Sequence, residues 1–257
     1  MCLILFANDY HERYKLILAA NRDEFYERPS LKADYWPESP EILAGRDLEA
    51  GGTWLGITRQ GRLAALTNYR DPLAENKMGI SRGMLVSGYL KGIDTAEEYL
   101  AKVQRERHSY KPFNLLVGNQ DQLYYYSPLK NRVSLIEPGV HGLSNSFLET
   151  PWPKVSKGKR LLSEIISKQD FSPKDLLELL LDQELFEDHR LPDTGVGIEM
   201  ERLLSSIYIK SPKYGTRART VLLIDRQNHV SFIELSYNEN KQDFTQVCYE
   251  FDIATAN

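Results

Sequence analysis

Cysteine at position 2 is the first residue of this chain whose type and place could do chemistry. A small residue there permits removal of Met1, which would leave a thiol and a free α-amine on one residue. An α-amine has a reference pKa of about 7.7–8.0, and a cysteine thiol one of about 8.5. Near neutral pH such an amine can take the thiol proton. This is the N-terminal variant of the nucleophile–base pair, and it needs no histidine. The bland alternative is a buried, inert cysteine on a core strand.

Several groups are placed to assist. Asn21-Arg22-Asp23-Glu24 follows the apolar run at 15–20. If 2–7 and 15–20 form a hairpin, the end of the second strand lies beside the start of the first. Asp23 would then reach the new amino terminus and orient it through a charge-assisted hydrogen bond. A solvated turn would read the same way. Asn68 closes the run LAALT and Asn145 follows HGLS. A neutral amide suits the oxyanion that develops in acyl transfer, although asparagine is also a turn former. Arg217 and Arg219, in YGTRAR before an apolar strand, could hold a substrate carboxylate. The residues alone do not choose between them.

Other segments carry weaker signals. Gly51-Gly52, inside the segment 46–54, predicts a tight turn or a close backbone approach. No Gly-Lys-Ser/Thr follows, so it is not a phosphate loop. Residues 186–198 read as a long loop able to cover a pocket. His11, His108, His141, His189 and His229 are scattered, without paired-ligand spacing or a haem-attachment motif. No metal and no cofactor is expected.

The elements that must position these residues are legible as apolar runs. Residues 2–7 with 15–20, 53–58 with 62–67, 113–118 with 122–127, and 219–225 with 229–236 pair as antiparallel hairpins. Many of these strands are apolar at consecutive positions, so both of their faces must be covered. Helices to cover them are predicted at 82–92, from the Thr95/Glu98 capping box to about 107, at 154–168, and from Ser172-Pro173 to about 182. A four-layer α/β/β/α sandwich of two antiparallel sheets, an α+β fold, accommodates the whole inventory. One domain over 1–257 is the expectation, and two separate domains is the rival.

Composition narrows the function classes. The chain has 257 residues, 42% of them apolar and 26% charged, with a formal charge of −4 and no basic tract. A nucleic-acid partner therefore has no support. Two cysteines are too few for a disulfide framework, which favours a reducing compartment. The apolar start is shorter than a signal core, and no run approaches the length of a membrane helix. A cytoplasmic protein acting on a small molecule is expected.

The segments MCLILFA, LILAANRDEF, GRDLEAGGTWLG, LAALTNYRDP, HGLSNSF with PWPK, and YGTRARTVLLI together resemble the NRDE family, over nearly the whole chain. That family is similar to the N-terminal-nucleophile cysteine hydrolases, such as penicillin V acylases and bile-salt hydrolases, whose fold is the same sandwich. The resemblance implies Cys2 as nucleophile, Asp23 as its contact, and Asn145 with Asn68 at the oxyanion. It also implies Arg217 or Arg219 as the late arginine. Those hydrolases carry an arginine three residues before the aspartate, where this chain has Ala20. Arg22 is the candidate substitute, although adjacent strand-end residues point to different faces. The implied activity is hydrolysis of a linear amide or related acyl bond through an acyl-Cys2 intermediate. A non-catalytic carrier is the alternative, since the NRDE family is also linked to haem trafficking and lipid homeostasis.

Overall fold

The computed structural model describes residues 2–71, 79–237 and 244–254. Two antiparallel sheets face each other. In the first, β1 (Cys2–Asn8) pairs with β2 (Tyr14–Phe25), Cys2 standing opposite Arg22. With β10 (Gly139–Leu143), β11 (Tyr214–Asp225), β12 (His229–Tyr237) and β13 (Phe244–Asp252), these form a six-stranded sheet ordered β10-β1-β2-β11-β12-β13. The second sheet has seven strands in chain order: β3 (Ser30–Trp36), β4 (Ser39–Asp47), β5 (Leu55–Thr58), β6 (Leu63–Asn68), β7 (Phe113–Gly118), β8 (Leu123–Ser127) and β9 (Arg132–Leu135).

Doubly apolar strands are covered on both sides. Ile4 and Phe6 of β1 and Leu16, Leu18 and Ala20 of β2 enter the core between the sheets, against Leu43, Ile57, Leu63 and Leu116 of the second sheet. Leu3, Leu5, Ile17 and Ala19 face the other way, onto α3 (Pro153–Ile166) and α4 (Pro173–Leu179). The second sheet turns Ile42, Ala64, Leu66 and Leu115 onto α1 (Gly83–Lys91) and α2 (Ala96–Arg105). Each fully buried leucine, isoleucine or phenylalanine contributes about 1.5–3 kcal/mol, so these three layers of contact outweigh any single local preference. The four-layer sandwich and all four expected hairpins are present.

The capping signals also hold. Thr95 and Glu98 form a reciprocal box at the start of α2, and Ser172 forms one with Asp175 at the start of α4. The expected helix to about 182 is shorter and ends at Leu179. Both cysteines are free, Cys2 buried and Cys248 exposed. No described helix is long and apolar enough to cross a membrane.

Candidate active site

One end of the sandwich opens into a cleft of about 450 Å³, lined among others by Cys2, Arg22, Asp23, Asn68, Arg217 and Glu234. Cys2 lies at the mouth because it begins β1, an internal strand of its sheet between β10 and β2. It is 8% exposed, whereas Leu3 and Ile4 just behind it are 0% exposed. Ser144 Oγ donates to its carbonyl (3.2 Å). Burial pushes the Cys2 thiol above its ordinary value, so the sulfur needs a local base to ionise near neutral pH.

Asp23 stands one step beyond the Cys2–Arg22 pair, on the side from which the backbone nitrogen of Cys2 would project as an amine. It is 1% exposed, accepts from Thr216 Oγ1 (2.7 Å), and its carbonyl accepts from the Tyr214 hydroxyl (3.1 Å). Burial raises its pKa.

Arg22 lines the same cleft as Cys2. Ala20 and Arg22 are two residues apart and share a face of β2, so Arg22 is displaced from the Ala20 position by one pleat and not to the opposite face. The concern over side-chain direction thus applies to Arg22 against Asp23, not to Arg22 against Ala20. Among the described residues, the Arg22 side chain has no hydrogen-bond or ion-pair partner.

The two late arginines separate. The register of β11 on β2 shifts between Thr216 and Ala218, leaving Arg217 as the extra residue of a bulge. Bulges re-aim side chains, and this one turns Arg217 into the cleft, where Nη1 donates to the Phe25 carbonyl (3.2 Å) and to the Arg28 carbonyl. Arg219 points into the helix layer and donates to the Leu177 carbonyl (2.8 Å).

The asparagines also divide. Asn68 ends β6 on the cleft wall. Asn145 is 0% exposed, is not part of that wall, and spends an amide hydrogen on the Asn68 carbonyl (2.8 Å). Its own carbonyl accepts from Arg70 N (2.7 Å). In this arrangement Asn145 fixes the strand end that presents Asn68.

Further parts of the wall come from 28–32, 45–54 and 79–83. Gly51 makes the turn at φ 75°, and a Cβ on Gly52 would sit 2.5 Å from the Gly83 backbone. The glycine pair thus supplies both features read from it, one residue each. Arg28 is clamped by Asp47 (2.7 Å) and Glu49 (3.0 Å) beside this segment. Residues 186–198 do not line the cleft; Leu191 and Pro192 instead pack near Trp152 and Lys154 on the helix side.

A family model described as transport and Golgi organisation 2 matches residues 1–239. The chain belongs to that family. A transport and Golgi organization protein 2 homolog from Homo sapiens is 40% identical, over 98% of this chain and 99% of that protein. Transport and Golgi organization protein 2 of Drosophila melanogaster is 30% identical, over 91% of each. Among solved structures, a Caenorhabditis elegans N-acylethanolamine-hydrolyzing acid amidase ortholog aligns with a TM-score of 0.50 at 11% identity, covering 86% of this chain and 92% of that one. A mutant conjugated bile acid hydrolase from Clostridium perfringens aligns with a TM-score of 0.51 at 10% identity, covering 100% and 99%. At such identities these matches establish the N-terminal-nucleophile hydrolase fold alone.

Among the buried ionisable groups of this family member that its sequence does not mark, two lie at or behind the cleft. Glu234 is 3% exposed at the cleft, where it accepts from Ala33 N of the facing sheet (2.7 Å) and from Ser236 Oγ (2.6 Å). Lys154 is 2% exposed at the start of α3. The run Pro151-Trp152-Pro153-Lys154 was the available signal for the second. For Glu234, alternation along β12 gives only a position facing the other sheet.

Proposed function

We propose that this protein is an N-terminal-nucleophile amidohydrolase, cleaving a linear amide or related acyl bond through a thioester on Cys2. The observation that carries the reading is the union of Cys2 and Asp23 from the β1–β2 hairpin with Asn68 of β6 and Arg217 of β11 at one cleft. Removal of Met1 would leave the Cys2 amine beside its own thiol, with Asp23 placed to orient it.

The steps follow from those positions. The amine takes the thiol proton, and the thiolate attacks the acyl carbon, forming a C–S bond. Asn68 offers its amide to the oxyanion. As the C–N bond breaks, the ammonium proton passes to the departing amine. Water, deprotonated by the same α-amine, then attacks the thioester, and the C–S bond breaks to give the carboxylic acid and free thiol. Arg22 and Arg217 would orient the acyl portion. Carriage of an apolar ligand fits the wall less well. Such a ligand would strip water from Arg22, Lys32 and Glu24, at a cost of several kcal/mol per ion.

The test is incubation of Met-free protein with an acyl-directed electrophile, followed by peptide mass mapping. Labelling confined to Cys2 is expected. Equal labelling of a Cys2→Ala variant, or labelling elsewhere only, would reject the reading.

A further inference from the structure

The helix-side layer behind Cys2 contains a charge that the proposed chemistry leaves unused. Lys154 occupies the first turn of α3, where no acidic residue accompanies it. A cation is disfavoured there, because the helix N-terminus carries partial positive charge. Its Nζ is buried and has no hydrogen-bond partner among the described residues. The adjoining cavity, about 10 Å³ between Arg70, Trp152, Glu201 and Ser205, is at the lower limit for one water molecule. Burial lowers the Lys154 pKa to about 8, leaving it mainly protonated at neutral pH. Local stability does not account for such a residue, and unaccounted violations of this kind concentrate at functional sites.

The surrounding charges indicate its role. Lys154 and Asp23 make no direct ion pair, yet across the buried layer the Asp23 carboxylate draws the Lys154 pKa up and the Lys154 ammonium draws that of Asp23 down, each ahead of any other charge. The other groups facing this pair are Cys2 on β1, Arg22 on β2, Arg70 after β6, Tyr214 on β11, and Glu201 on α5 (Ile198–Leu203). Arg70 is engaged by Glu201 at 2.5 Å and stacks over Trp152 at 4.7 Å. Of the three cations, Arg70 is held by Glu201 and Arg22 is partly exposed to the cleft, which leaves Lys154 as the fully buried charge for Asp23.

We propose that Lys154 is a positioning residue for the Cys2 nucleophile: its buried ammonium, and not the Cys2 amine, is the counter-charge of Asp23, leaving that amine neutral to accept the thiol proton. This rests on the reading of Cys2 as an N-terminal nucleophile and deepens it. Without the lysine, Asp23 would draw a proton onto the amine and hold it as an ammonium, the wrong form for a base. Removing a nearby positive charge also raises the proton affinity of the amine, the thiol and Asp23 alike, so the sign of the effect is fixed.

The experiment is the pH dependence of Cys2 alkylation by iodoacetamide in Met-free protein, read by peptide mass mapping. Lys154→Met is compared with Lys154→Arg, with near-UV circular dichroism checking each fold. The expected result is an upward shift of the midpoint by about one pH unit or more in Lys154→Met, with Lys154→Arg restoring the original midpoint. A folded Lys154→Met protein with an unchanged midpoint overturns the proposal while leaving the nucleophile in place. No Cys2 labelling in the unmutated protein at any pH overturns both. Should neither variant fold, lysine Cε NMR of the unmutated protein decides. One lysine titrating near pH 8, shifted downward when Cys2 is alkylated, supports the proposal. Lysines all titrating near their ordinary value of about 10.4 refute it.

Discussion

Arg22 and Asp23 are consecutive on β2, yet they occupy two kinds of environment. Arg22 faces the cleft between the sheets, partly exposed and without a partner among the described residues. Asp23 is buried beside Thr216 and Lys154. A strand turns successive side chains to opposite faces, so one residue step separates a charge able to meet a ligand from a charge that must be balanced inside the protein. The difference teaches that the candidate centre has two sides with different tolerances. The partly exposed cleft-side charge of Arg22 is free to change with little effect on folding. Helix-side charges form a set whose members depend on one another.

The largest expected effect lies on the helix side. Glu201→Gln leaves the Arg70 guanidinium, 5% exposed, without its carboxylate. Removing one partner of a buried ion pair costs about 3–5 kcal/mol, and urea unfolding should show a loss of that order. A loss below about 1 kcal/mol, the range of exposed pairs, would erase the contrast between the sides. Asn145→Ala comes next. It leaves the Asn68 carbonyl without its donor, which should cost about 1–3 kcal/mol and slow Cys2 labelling, because the wall that presents Asn68 loosens. Unaltered labelling would show that Asn145 acts on stability only.

The smallest effect on folding belongs to the cleft. Arg22→Gln should change unfolding free energy by no more than about 0.5 kcal/mol, as for surface substitutions generally. Its mark should appear in selectivity instead. The ratio of Cys2 alkylation rates by iodoacetate and iodoacetamide should fall several-fold at low salt, and the gap should shrink as salt is added. An unchanged ratio would mean that Arg22 does not face the reacting group.

Much of this was legible in the sequence where residue type and environment agree. The consecutive apolar runs of β1, β2 and β11 could be satisfied only by cover on both faces, and the Thr95/Glu98 box announced α2. Legibility failed where the two disagree. Strands β3, β9 and β13 are largely exposed or half-buried, so they lack a continuous apolar signature. Arg217 enters the cleft through a bulge, a backbone feature with no residue code. Lys154 is illegible because lysine is almost never fully buried unless paired. A sequence shows the charge but not the carboxylate that three-dimensional packing brings to it.

The account turns on Cys2 acting only once its own amine is free. Its most direct test is denaturing intact-mass measurement after mixing Met-free protein with excess acetyl 4-nitroanilide and quenching with acid, beside the same chain retaining Met1. The account predicts one acetyl increment on the Met-free form, assigned to Cys2 by peptide mapping kept in acid, and none on the form that keeps Met1. Equal acetylation of both forms, or acetylation of neither, would contradict it.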